Sequence, residues 1–140
     1  MIKIKQLTHE NFRPYGGILE PEDKSDVFTV LCGDENAKGW RIGYVILGPD
    51  KVKSLEAHPG SFETFEPVSG VSVILAAPEK EPEKIEAFLL DKSVLINKNI
   101  WHAVRVLSGK AEIKVVENFK VDSVYHDLKN PVDVGFSEEQ

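Results

Sequence analysis

Polar and apolar residues alternate with a period of two over much of this chain. WRIGYVIL (40–47) sets Trp40, Ile42, Tyr44 and Ile46 on one side, as a strand does. VSVILAA (71–77) is a nearly continuous apolar run. IEAFLL (85–90), SVLI (93–96), AVRVL (103–107) and AEIKVV (111–116) follow, separated by Gly, Pro, Asn and Asp clusters. Short runs rich in Val and Ile, broken by turn residues about every ten positions, predict an antiparallel sandwich or barrel. Residues 52–58 and the stretch through Glu63 and Phe65 read as a further strand pair, with Gly70 permitting the bend into 71–77. FTVLCG (28–33) is a weaker strand candidate.

Helix is scarce. THENF (8–12) predicts one short turn, capped by Thr8 and ended before Pro14. PEKEPEKIE (78–86) carries two prolines among charges and reads as an exposed loop. From about residue 127 the chain reads as a tail, through NPVDVGFSEEQ, that either packs across the sheet by Val132, Val134 and Phe136 or frays. Neither a repeat nor a linker interrupts the pattern, so residues 1–140 are expected to form one all-β domain.

Composition narrows the function classes. A chain of 140 residues, 41% hydrophobic and 29% charged, can bury a proper core. A net charge of -6, with a pI near 5.2, argues against nucleic acid or an anionic membrane surface as partner. The single cysteine, Cys32, excludes an intrachain disulfide framework and a Cys-based zinc cluster, and beside Gly33 and Asp34 it reads as a bystander. MIKIKQLTHENF has no apolar run after its lysines, and no stretch approaches the roughly 20 apolar residues of a membrane helix. The expected compartment is the cytoplasm.

The chemistry gathers in LEAHPGSFETFEPVSG (55–70), which holds Glu56, His58 and Glu63 in a chain of four histidines. Glu56 and His58, two apart, share one side of a strand, and Glu63 shares a face with Phe65. NKNIWHAV delivers His102 at the start of a distant strand. Two carboxylates and two imidazoles brought together suit borderline divalent cations such as iron, manganese, nickel or zinc. Each alone has a plainer reading: a solvated Glu56, a backbone-bonded His58, a surface Glu63, a packed His102. Their joint spacing is what points to a site.

That spacing resembles the first cupin motif: His58, four residues, Glu63, six residues, Gly70, with Glu56 where the first histidine stands. The second cupin motif is matched at His102, with Asn97 and Asn99 in place of its Pro and Gly and Val106 in place of its Asn. The chain also resembles the ureidoglycolate lyase family through Leu55, Glu56, His58, Pro59, Phe65, Pro67 and Gly70. Asn99, Trp101 and His102 match a second hallmark, and Phe12, Tyr15 and Gly16 match the opening. It departs at Ala103 and Val104, where the family has His-Pro. It departs again at Glu63, where the lyases tend to have Gln, and at the end of the strand 40–47, where an Arg is usual and Arg41 comes earlier.

The resemblance implies a cupin-type double-stranded β-helix, or jelly roll, with a short N-terminal helical turn. It implies a lyase of purine (allantoin) catabolism that cleaves ureidoglycolate, or a related small anionic metabolite, to glyoxylate and urea with divalent metal assistance. His58, Glu63 and His102 are then ligands, and Glu56 is a fourth ligand or the general base. Glu56, His58 and His102 form the catalytic set, and Lys98, Phe65 and Trp101 are the expected substrate contacts; alternation from His102 sends Arg105 outward. A homodimer is implied as well. Another metal-dependent cupin reaction and a non-catalytic small-molecule binder are the competing readings.

Overall fold

The computed structural model describes residues 1–137. In chain order the elements are β1 (Ile2–Lys5), α1 (His9–Phe12), β2 (Gly16–Ile18), β3 (Trp40–Leu47), β4 (Val52–Ala57), β5 (Glu63–Ser69) and β6 (Ser72–Ala77). They continue with β7 (Glu86–Leu89), β8 (Val94–Ile96), β9 (Trp101–Val106), β10 (Ala111–Asn118), β11 (Val124–Val132) and β12 (Val134–Gly135). Seven strands form one sheet in the order β11-β4-β9-β6-β7-β1-β12, and five form the other in the order β2-β8-β5-β10-β3. Pairing is antiparallel except where β1 runs parallel to β7 and β12. This is the cupin-type jelly roll that the motifs imply.

The unbroken apolar run of β6 is explained by burial on both faces. Ile74 and Ala76 pack into one cluster with Phe12, Phe88, Ile113 and Val115. Val73, Leu75 and Ala77 pack into a second with Leu55, Ala87, Val132 and Val134. Each large side chain so buried contributes about 1.5–3 kcal/mol.

The helical turn forms as expected. The Thr8 hydroxyl accepts the Asn11 N–H at 3.0 Å, and the Asn11 side chain accepts the Thr8 N–H at 3.0 Å. The turn delivers Phe12 edge-on to Phe88, with ring centroids 5.1 Å apart. Gly70, at φ +80°, makes the expected bend, where a Cβ would stand 2.2 Å from the Lys110 carbonyl oxygen.

The C-terminal segment is more ordered than a tail. It runs along β4 as β11, then pairs with β1 as β12, so the chain passes between the two margins of the seven-stranded sheet. Val132 and Val134 are buried as expected, whereas Phe136 is exposed, and residues 138–140 lie outside the described residues. One strand expectation differs from the structure. Residues 28–33 form no strand and have no backbone partner among the described residues. β3 forms as expected but at a sheet edge, with the Trp40, Ile42, Tyr44 and Ile46 side facing solvent and Val45 facing the core. Among the described residues no helix is long and apolar enough to cross a membrane.

Candidate metal centre

Four side chains from three segments converge between the sheets. Glu56 on β4 stands directly opposite His102 on β9 in the antiparallel register. His58 follows at the end of β4, and Glu63 opens β5 on the other sheet, so its carboxylate reaches across the gap. Asn99 takes the left-handed conformation (φ 69°) in the turn before β9, where the cupin motif has Gly. Asn is among the few residues that adopt it at modest cost. From there the Asn99 N–H donates to the His58 carbonyl at 3.1 Å, which ties the two histidine segments together.

Glu63 Oε1 lies 3.0 Å from His58 Nε2 and 2.9 Å from His102 Nε2. Glu56 Oε1 is farther, at 3.9 and 3.8 Å from the same nitrogens. The imidazole centroids are 5.1 Å apart. Donor atoms of all four residues lie within 4.8 Å of one another, a spread that one ion with bonds of about 2 Å can span. His58, Glu63 and His102 are buried, while the Glu56 side chain is 38% exposed.

The far ring nitrogens show how the imidazoles are oriented. His102 Nδ1 lies 2.9 Å from the Ile100 carbonyl, which can only accept, so Nδ1 donates and Nε2 is the nitrogen turned to the centre. That Nε2 is buried and, despite its nearness to Glu63, satisfies no hydrogen bond. His58 Nδ1 faces the Asp122 carbonyl at 3.3 Å and the Ser123 hydroxyl at 3.0 Å. A ring nitrogen and a carboxylate oxygen 2.9 Å apart need positive charge between them, and the donor set fits a divalent cation. Burial acts to raise the pKa of Glu63, but the two imidazoles beside it outweigh burial and hold the carboxyl at about 2. Burial acts to lower His58, and the Glu63 hydrogen bond and charge override it to give a net rise. Glu117, opposite Glu63 in the β10–β5 register, is raised by burial and by the Glu63 charge although Arg41 lies 2.7 Å away.

A cleft of about 430 Å³ opens onto Glu56, Glu63 and His102, and Phe65 lines it beside His102 at a centroid distance of 5.6 Å. Two expected substrate contacts lie elsewhere. Trp101, one residue from His102, faces the opposite side of β9, where its indole N–H donates to the Glu79 carbonyl at 2.8 Å and its ring packs on His126. Lys98 is paired with Asp34 at 2.8 Å and sits over the Phe62 ring. The cations of the cleft wall are instead Lys51 and Lys53, which sequence reasoning missed although they flank Val52 just before Glu56. Arg105 points away from the centre, as alternation requires, and donates to the Pro49 carbonyl at 2.8 Å behind the loop that frames the cleft. Asp122 and Ser123, which steady His58, carried no local signal in the sequence.

The family model for ureidoglycolate lyase matches residues 48–135. A ureidoglycolate lyase from Rhizobium etli (strain CIAT 652) is 28% identical over 131 residues, covering 79% of this chain and 79% of its own. One from Agrobacterium fabrum is 27% identical over 122 residues, covering 72% and 74%. Among solved structures, a sugar 3,4-ketoisomerase from Thermoanaerobacterium thermosaccharolyticum in complex with TDP superposes with a TM-score of 0.52 at 14% identity, over 88% of this chain and 84% of that one. That likeness concerns the fold alone.

Proposed function

The chain belongs to the ureidoglycolate lyase family, and from that premise we propose that it cleaves ureidoglycolate, or a close hydroxy-acid relative, to glyoxylate and urea. The observation that carries this reading is the convergence of His58, Glu63 and His102 beneath a cleft whose wall holds Glu56. His58 Nε2, Glu63 and His102 Nε2 would hold a divalent cation, whose chemistry there is Lewis-acid polarisation of the substrate's hydroxyl and carboxylate oxygens.

The protein's own groups do the rest. Glu56 is the candidate proton carrier, because it is partly exposed on the cleft and farther from both imidazole nitrogens than Glu63. It accepts the carbinol hydroxyl proton and returns it to the departing urea nitrogen. The C–N bond breaks, its electron pair leaves with urea, and the carbinol carbon becomes the aldehyde of glyoxylate. Proton transfer of this kind contributes about 10²–10⁴ in rate. Lys51 and Lys53 supply positive charge on the cleft wall for the substrate carboxylate, and Phe65 closes its apolar side.

The test is release of glyoxylate and urea in equal amounts from ureidoglycolate by metal-supplemented protein. Glu56→Gln should lower kcat by about 10²–10⁴ while keeping bound metal, whereas His102→Ala should lose the metal. Protein that carries stoichiometric metal yet releases no glyoxylate would overturn the reading.

A further inference from the structure

The cleft over the centre is larger and more apolar than ureidoglycolate requires. On β5 and β9, Phe65 and Val104 stand two residues beyond Glu63 and His102, so they share the ligands' faces, one step of about 7 Å along each strand. Val115 lies opposite Phe65 in the β10–β5 register, and Val45 and Leu47 continue the apolar wall on β3. All five line the cleft, and Val45, Leu47 and Val104 are only half-buried. The polar groups are gathered on β4 and the loop before it, at Asp50, Lys51, Lys53, Ser54 and Glu56. The cleft thus has a charged wall and an apolar wall, with the centre between them.

Ureidoglycolate has nine non-hydrogen atoms, six of them nitrogen or oxygen, and a single C–H. Even at the roughly 30 Å³ that a whole water molecule occupies, nine atoms fill about 270 of the 430 Å³. More than a third of the cleft is left over, and its apolar side chains find almost no carbon to pack against. Binding sites bury most of their ligand's surface, with apolar walls facing apolar parts of the ligand. The substrate's hydroxyl and carboxylate belong to the centre and the lysines. What remains for the apolar wall is the acyl group on the nitrogen.

We propose that the favoured substrates are N-acyl-α-hydroxyglycines whose acyl group is apolar, an aryl or branched alkyl amide standing where ureidoglycolate has urea. The inference rests on the lyase reading above and adds the identity of the leaving group. The step balances as it does for urea. The hydroxyl proton passes by way of Glu56 to the amide nitrogen, and the C–N bond breaks with its electron pair leaving on that nitrogen. The carbinol carbon becomes the aldehyde of glyoxylate, and the other product is a primary amide; no co-reactant is consumed. Each acyl carbon that leaves water against Val45, Leu47, Phe65, Val104 and Val115 favours such a substrate over ureidoglycolate.

The probe is N-benzoyl-α-hydroxyglycine, set against ureidoglycolate as a substrate of metal-supplemented protein. Its kcat/KM, read as glyoxylate and benzamide released in equal amounts, should exceed that of ureidoglycolate by about tenfold or more. Binding supplies a readout apart from turnover. N-benzoylglycine, which lacks the hydroxyl and cannot be cleaved, should bind about tenfold or more tightly than N-carbamoylglycine in calorimetry. Leu47→Asn/Val104→Thr leaves the ligands and the lysines in place, and it should erase both preferences with circular dichroism and bound metal unchanged. Equal or faster cleavage of ureidoglycolate, equal binding of the two glycines, or preferences that survive the double substitution would each overturn the inference, with the lyase reading standing as long as ureidoglycolate is cleaved. Release of glyoxylate from neither compound by protein carrying stoichiometric metal would overturn both.

Discussion

At His102, Nδ1 is bound to a backbone carbonyl, so the ring turns Nε2 toward the carboxylate of Glu63. Without metal, only a proton can relieve that approach, and the raised His58 pKa and depressed Glu63 pKa both express the demand. The pH dependence of metal-free protein follows. Glu63, ordinarily 4.5 and held at about 2, stabilises the fold above pH 4.5, and its contribution is lost as pH falls toward 2. His58, raised from 6.5, stabilises the fold below pH 6.5, and its contribution is lost as pH climbs through the folded-state value. The Tm measured in chelator should therefore be highest between these limits, and Glu63→Gln should flatten both flanks. Added metal should raise Tm at pH 7.5 and do so far less at pH 5, where protons compete for the imidazoles. A Tm profile unchanged by Glu63→Gln would show that the three groups do not interact as the geometry requires.

At the scale of elements, legibility followed the length and continuity of each pattern. β6 and β10 could be read because their apolar residues are many and regular. β1 alternates Ile with Lys over four residues, and β2 is Gly-Gly-Ile, so neither carries enough pattern to stand out from loop. β2 exists because its neighbour demands it: a Cβ on Gly16 would lie 1.7 Å from the Leu95 carbonyl oxygen, a close approach that no periodicity announces. The segment 28–33 errs the other way, with strand composition but no backbone partner among the described residues. The bend at Gly70 could be read, and it yields a sharp expectation. Gly70→Ala, which forces a Cβ into the Lys110 carbonyl at positive φ, should cost about 2 kcal/mol or more in urea denaturation. Gly17→Ala, with open space around it, should stay within about 0.5 kcal/mol.

For the whole molecule, the centre and the second apolar cluster share strands but lie on different faces. His102 and Val104 turn to the first cluster and the inter-sheet gap, while Trp101 and Ala103 turn to the second, which Val132 and Val134 close. The metal-binding set was legible because its ligands are polar residues in a spaced motif. Its supports were not, because Asp122 and Ser123 reach His58 only through the path of β11 around the sheet. That path couples the centre to the far cluster. Val134→Asp places a charge in the apolar cluster of Ile4, Leu75 and Ala87, at a cost of about 3 kcal/mol. It should shift unfolding by circular dichroism to lower denaturant. Metal release, followed with a chelating dye, should shift with it, because β6, β7 and β9 serve both clusters, β4 sets Glu56 beside Leu55 of the second, and the residues leading into β11 steady His58. Metal lost well before the circular dichroism signal in this variant would mean that the centre opens independently of the second cluster. The jelly roll would then be two cooperative units, with the metal-binding half the weaker.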